Sequence, residues 1–312
     1  MSKHLLLILS ILFLSSCHRV QEDKAPKLSH MVQDKYLKNL PSPFPALSLL
    51  ERQEDWGKEY LIALGFAKEL DLYQAMIAFK RAEFLLPPHN FSRRMEIDYE
   101  VLLCYYLGKK YSEAIYVFEQ GTLKTVTPEF PAYQDLLIIL YDCYLNNNEE
   151  EKAEKILQII RSADTPLADK IALSGILIQG DTTALKAIAP SQPDVKKLLD
   201  TYQMQKKSIG TAQTLNALLP GAGYFYIGQK QSACTALLLN GLFIWASSYF
   251  FERGNLAAGL ITTSFEAGWY FGGIYGVGLE TKFYNERVYE RVATPMMNEN
   301  RLFPILMLQH AF

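Results

Sequence analysis

Few residues in this chain are of a type and spacing that do chemistry. His4, His18, His30, His89 and His310 are scattered, and none stands at the short spacing a metal site requires. Cys104 and Cys143 are 39 residues apart. On equivalent helices of a stack, roughly 10 Å between axes would put them beyond disulfide reach. Both read as small buried hydrophobes, and Cys234 likewise. No phosphate loop, Ser-His-Asp order or dinucleotide fingerprint occurs. The sequence points away from an enzyme, with no metal and no cofactor expected. Two side chains stay chemically informative. Cys17 follows a short apolar leader, and Glu266 sits inside a long apolar stretch, where an ionisable group is costly.

Composition bounds the elements that position them. The chain has 312 residues, with 31 Lys+Arg against 33 Asp+Glu and a formal net charge of −2. That length suits about two domains. The near-zero charge balance argues against a basic nucleic-acid-binding face. An apolar fraction of 49% supports a packed core, and four Cys are too few for a disulfide scaffold. Glycine is unevenly spread: of 18, 7 precede position 215 and 11 lie between Gly221 and Gly278. From Gln231 to Leu279 only Glu252, Arg253 and Glu266 are charged. The end of the chain therefore meets a different solvent from its middle.

The start of the chain reads MSKHLLLILSILFLSSC. Leu5–Leu14 is about half the length of a spanning helix, which suits the core of a signal peptide. Leu14-Ser15-Ser16-Cys17 resembles the lipobox of bacterial lipoproteins, in which a large aliphatic and two small residues precede a Cys. That resemblance implies removal of 1–16 and diacylglycerol on the Cys17 sulfur. Residues 17–45 are polar and Pro-punctuated, like a tether.

The middle of the chain repeats. Ala75, Ala114 and Ala153 are spaced by 39 residues, as are Phe66, Tyr105 and Tyr144, and Phe79, Phe118 and Leu157. Turn residues lie between the paired helices each time, and Pro87, Pro128 and Pro166 fall near the ends of the units. The pattern resembles the tetratricopeptide repeat, with an aromatic in the first helix, a small residue early in the second and a large apolar residue four later. The usual period is about 34, so each unit here is longer. The resemblance implies about three to four helix pairs over 46–207, stacked into one core and presenting a concave protein-binding face. Ala168–Ile178 with Thr182–Ala189 is a degenerate fourth pair, and Pro193 opens a helix over 194–207 with Val195, Leu198, Leu199 and Tyr202 on one side.

The region 208–291 reads as a glycine-rich apolar hairpin. Pro220-Gly221-Ala222-Gly223 breaks the chain, Ser232–Phe251 is a 20-residue uncharged run, and Leu256–Leu279 offers a second span. Ser264, Gly268, Gly272 and Gly276 recur every four residues and form a smooth stripe, with Gly241 as the close-approach point on the first span. Asn240, Ser247, Thr262 and Tyr270 are candidate partners for Glu266. The region resembles the glycine-rich two-helix membrane module of some bacterial repeat proteins, which implies a membrane hairpin. The tail, 292–312, is expected to pack on the hairpin or on the repeats.

Two signals disagree about sidedness. Lys206, Lys207, Lys230, Lys282, Arg287 and Arg291 flank the hairpin and only Arg253 lies in its loop, which places both ends in the cytoplasm. A lipidated Cys17 places the repeats outside. The more specific lipobox is given precedence, and a hairpin that does not span stays open. The fold expected is all-α. The function expected is an envelope lipoprotein, held by lipid at Cys17 and by the hairpin, whose repeats bind unidentified protein partners and not nucleic acid. The alternative is a transport or channel component built by oligomerisation of the hairpin, with Glu266 along the path; otherwise Glu266 is structural.

Overall fold

The computed structural model describes residues 34–312, so the leader and Cys17 lie outside the described residues. Every regular element among the described residues is helical. Compactness divides the chain into a first unit, up to Ile178 plus Met296–Phe312, and a second, Gln179–Pro295.

The first unit holds α1 (Asp55–Lys68), α2 (Leu72–Leu85), α3 (Phe91–Leu107), α4 (Tyr111–Gln120), α5 (Tyr133–Asn146), α6 (Glu150–Ala163) and α7 (Thr165–Gln179). They form successive antiparallel pairs, α1 with α2, α3 with α4 and α5 with α6, and α2 packs on α3 as α4 packs on α5. The 39-residue period is written in the backbone as well as in the side chains. Leu70, Lys109 and Asn148 all have positive φ, at 61°, 57° and 60°. At each, the next residue donates its N–H back to the helix: Asp71 to Phe66 O, Lys110 to Tyr105 O and Glu149 to Tyr144 O. This is the Schellman ending of a helix. The same Asp71, Lys110 and Glu149 are then the N-caps of α2, α4 and α6. One tight turn therefore stops one helix and starts its partner.

Close packing follows from the small residues. Ala75, Ala114 and Ala153 are at most 1% exposed, and Phe79, Tyr144 and Leu157 are buried with them. Phe118 and Tyr105 are half-buried. Phe66 departs from the expected pattern: it is 38% exposed. Its position marks the carbonyl that closes the turn, and the aromatic that fills the α1–α2 seam is Tyr60, whose ring meets Phe79 edge-on at 5.6 Å. Cys104 and Cys143 are buried and free.

The second unit holds α8 (Thr182–Ile188), α9 (Pro193–Gln205), α10 (Ile209–Leu218), α11 (Ala222–Tyr226), α12 (Lys230–Glu252) and α13 (Leu256–Glu299). The expected fourth repeat pair is thus divided, with α7 in the first unit and α8 in the second. Pro193 opens α9 at a position where its missing N–H costs nothing, and Val195, Leu198, Leu199 and Tyr202 are buried. Gly221 begins α11 with φ 94°, and a Cβ there would run into the backbone of Ala233. Only glycine lets α11 lie this close to the start of α12.

Two substitutions test this account. A non-glycine residue in the left-handed region costs about 1 kcal/mol, least for Asn. Lys109→Gly should therefore raise the urea midpoint by an equivalent of about 1 kcal/mol, and Asn148→Gly should raise it less. The second concerns Asp142 on α5, which accepts from Tyr106 Oη and Asn146 Nδ2, both at 2.9 Å. Burial outweighs these bonds and pushes its carboxyl up to about 6. The folded chain therefore holds this proton more tightly than the unfolded one. The resulting stability is full below the ordinary carboxyl value near 4 and is lost as pH rises to about 6. Asp142→Asn should be more stable than the parent at pH 7 by roughly 2–3 kcal/mol, with the gap closing towards pH 4 in paired denaturation curves.

Candidate functional site

In the first unit, the face shared by α3 and α5 is covered by a strap, residues 36–51, and by the segment 302–312. Phe44 sits between Tyr99 and Phe130, with ring centroids 5.6 Å from each. Arg93 of α3 reaches across to Glu51 at 2.8 Å, to Glu96 at 2.6 Å and to the Pro45 carbonyl at 3.0 Å. Its guanidinium holds the Glu51 carboxyl down at about 2. The C-terminal segment lies beside this strap. Tyr36 Oη donates to Leu308 O at 2.8 Å, and Ala311 N donates to Pro41 O at 3.0 Å. Asp135 of α5, 1% exposed, takes the N–H of Gln309 at 2.9 Å and of His310 at 3.0 Å, and meets His310 Nδ1 at 2.9 Å. Leu302, Phe303, Ile305, Leu306, Leu308 and Phe312 are buried.

At about 1.5–3 kcal/mol for each large apolar side chain, that burial is on the order of 10 kcal/mol. The tail is therefore part of the core. The tail and the strap thus fill the face that α3 and α5 share. Outside that covered face the array exposes apolar side chains on its first helices, such as Ile62 of α1 and Phe91 of α3, and on its second helices. Tyr73 and Phe84 of α2 are 67% and 90% exposed, and Tyr116 of α4 is 67% exposed. Beside them is a cleft of about 450 Å³ with Lys80, Glu83, Tyr105, Glu113 and Tyr116 in its wall. Lys80 lies 5.1 Å from the centre of the Tyr105 ring. Burial, and then the neighbouring Asp98, push the Glu83 carboxyl up.

In the second unit, α12 and α13 run antiparallel from the tip at Glu252–Asn255. Phe251 packs where a Cβ on Gly259 would come within 2.6 Å of its ring, Ser247 Oγ meets Thr262 Oγ1 at 3.0 Å, and the Phe243 and Phe265 rings stack at 6.5 Å. Of the buried residues of α12, Ser247 and Asn240 lie on this seam, Ala236 lines the groove below it and Ala233 meets Gly221 at the start of α11. The expected glycine stripe does not make the seam. Gly241 is exposed with open space around it, as are Gly268 and Gly272, and Ser264 is exposed. Each four-residue step turns a helix position by about 40°, so a stripe of strict fours rotates away from a seam built on threes and fours. Gly276, the last of the series, has rotated far enough for a Cβ to come within 2.8 Å of Tyr224 Oη. Cys234 is exposed on the outer side of α12, against the expectation that it is buried.

α12 and α13 separate below Asn240, and a groove of about 690 Å³ opens there. Gly268, Gly272 and Gly276 form its floor, with Asn240, Thr235, Ser232, Gln229 and Glu280 along it. Gln229 Nε2 donates to Glu280 Oε2 at 2.6 Å. Asn240 was singled out from the sequence; the groove was not, because it depends on how α11 wedges the two helices apart.

Among the described residues, α12 alone is long and apolar enough to cross a membrane. The expected second span at Leu256–Leu279 falls short by composition: α13 continues unbroken to Glu299 and carries Glu266 and many glycines. The apolar stretch of α12 is only 11% buried, which distinguishes it from the core helix of a soluble protein. No protein-family model, curated protein or solved structure is significantly similar to the chain.

Asp135→Ala tests the tail. It removes three contacts to the last residues at once and leaves two part-buried N–H groups unpaired, a loss of about 2 kcal/mol. Carboxypeptidase should then remove the terminal residues at least tenfold faster than from the parent, with helix content unchanged. Equal rates would mean that Asp135 does not hold the tail.

Proposed function

We propose that this chain is a membrane-held scaffold of the bacterial envelope, a lipoprotein whose tetratricopeptide-like helix pairs bind other proteins. The observation that carries the membrane part is the outward apolar surface of the α12–α13 pair. Leu238, Leu242, Ile244 and Trp245 of α12 are 54% to 66% exposed, and Leu260, Ile261 and Phe265 of α13 are 57% to 63% exposed. An apolar surface so continuous needs a non-aqueous neighbour. Trp and Tyr towards the tip, at Trp245 and Tyr249, suit a membrane–water boundary. The 39-residue repeat of side chains and turns supports the repeat part.

The filled face of α3 and α5 narrows the scaffold reading. Partners would meet the second helices, where Tyr73, Phe84 and Tyr116 are exposed beside the charged cleft. Exposed aromatics near charges are the usual anchors of a protein interface. The lipid at Cys17 is a separate attachment and is tested separately.

Flotation of the full chain with lipid vesicles tests the membrane part. The parent should float. In a Cys17→Ser background, Leu238→Glu combined with Trp245→Glu puts two charges on the outward face at about 2.5–3.5 kcal/mol each, and should leave the protein in the dense fraction with the array still folded. Cys17→Ser should lose the lipid mass yet still float through α12. A doubly charged variant that floats as well as the parent, with Cys17→Ser in place, would end the membrane reading of this helix.

A further inference from the structure

The membrane reading leaves one feature of the hairpin unexplained: two buried acceptors face one seam with no donor. Asn240 is 3% exposed; its Nδ2 donates to Ala236 O at 2.6 Å, and its Oδ1 has no partner. Glu266 Oε2 is buried and equally without a partner. The register set by the Phe251–Gly259, Ser247–Thr262 and Phe243–Phe265 contacts puts Glu266 opposite the turn of α12 that runs from Asn240 to Phe243.

Other polar side chains near Glu266 are already committed. Ser247 donates to Thr262, Thr262 is bonded back to its own helix at Ala258 O, and Tyr270 Oη donates to Ala217 O at 2.6 Å. Asn240 is the one left over. From α12, the element packed against this stretch, the seam presents Asn240, Phe243 and Ser247, none of which titrates. On the groove side the ionisable groups are Glu280, which is held by Gln229, and the tyrosines Tyr224 and Tyr270.

We propose that Glu266 and Asn240 form a proton-binding site inside the hairpin, reached from water through the glycine-floored groove. This rests on the membrane reading and goes beyond it. A carboxylate and an amide oxygen are both acceptors and repel, whereas a carboxylic acid has one O–H to donate. One proton on Glu266 supplies the missing donor to Asn240 Oδ1 and removes a charge that lipid penalises. The groove supplies the route as far as Asn240, which lines it; Glu266 is not in its wall and is reached across that amide. The groove's polar wall runs from Gln229 and Glu280 past Ser232 and Thr235 to Asn240, and its volume of about 690 Å³ is roomy for a file of waters. Gly268 and Gly272 keep it open because no Cβ enters it. A hydronium in the groove transfers a proton to Glu266 and leaves as water; release is the reverse, so the step balances with water alone.

Carbodiimides add to protonated carboxyl groups, so they report the site directly. The full chain in lipid vesicles is treated with a lipid-soluble or a water-soluble carbodiimide between pH 5 and pH 8, and the adduct is located by mass spectrometry. Both reagents should modify Glu266, with the yield falling about tenfold per pH unit above its midpoint. Gly272→Trp, which fills the groove, should cut modification by the water-soluble reagent at least tenfold and leave the lipid-soluble one unchanged. Gly268→Trp serves the same purpose should the first variant fail to float. Glu266→Gln should float and carry no adduct. Absence of adduct with both reagents, no effect of a filled groove, or protection by sodium at constant pH would each overturn the proposal. A parent chain that does not float instead removes the membrane reading, so the two failures are distinguishable.

Discussion

A single helix pair cannot cover its own apolar face, and the architecture of this chain is a set of answers to that constraint. In the first unit each pair covers its predecessor, which is why the same turn and the same small residue return every 39 positions. Stacking alone would leave the inner face of α3 and α5 bare. The strap around Phe44 and the tail from Leu302 to Phe312 cover it, tied by Asp135, Tyr36 and Pro41. In the second unit no further protein layer among the described residues covers the outer side of α12 and α13, and the membrane reading supplies the missing neighbour.

The sequence disclosed local constraints and concealed long-range ones. Ala75, Ala114 and Ala153 were legible because a small residue recurring at one period has few explanations other than close helix packing. Phe66 was misleading because an aromatic near a helix end serves the turn with its carbonyl as well as the core with its ring. The tail was not assignable to either unit from sequence, since Asp135 and His310 are 175 residues apart and nothing local marks them as partners. The glycine stripe was misread for a geometric reason. Strict fours and a seam of threes and fours coincide over one turn and diverge over four. The groove followed from α11 and Gly221, whose role depends on a distance of approach that periodicity does not encode.

Polar groups show how tightly the first unit is specified. Arg93 satisfies two carboxylates and a carbonyl at once, and Asp135 satisfies three donors of the tail. Such groups strengthen one arrangement mainly by penalising every other, because each loses its partners if the strap or the tail shifts. That argues for a rigid array and against a tail that comes and goes. On the proposed reading partners meet the second helices, where side chains such as Phe84 and Tyr116 make no comparable commitments.

Glu100 and Glu266 bring this contrast to a point. Glu100 on α3 is fully buried with both oxygens unpartnered, and burial pushes its carboxyl well above the ordinary range, so it sits in the array as a neutral acid. Neither groove described above is lined by Glu266 itself, though Asn240 lines one of them, and neither is lined by Glu100. A proton enclosed in that way is a fixed part of the core. Glu266 shares the unpartnered oxygen but differs in its surroundings: across the seam is an amide oxygen in need of a donor, and beside that amide is a polar groove floored by glycine. On the proposed reading both acids hold a proton. Access is what distinguishes a proton that is merely stored from one that exchanges, and in this chain access is built from residues whose side chains are absent.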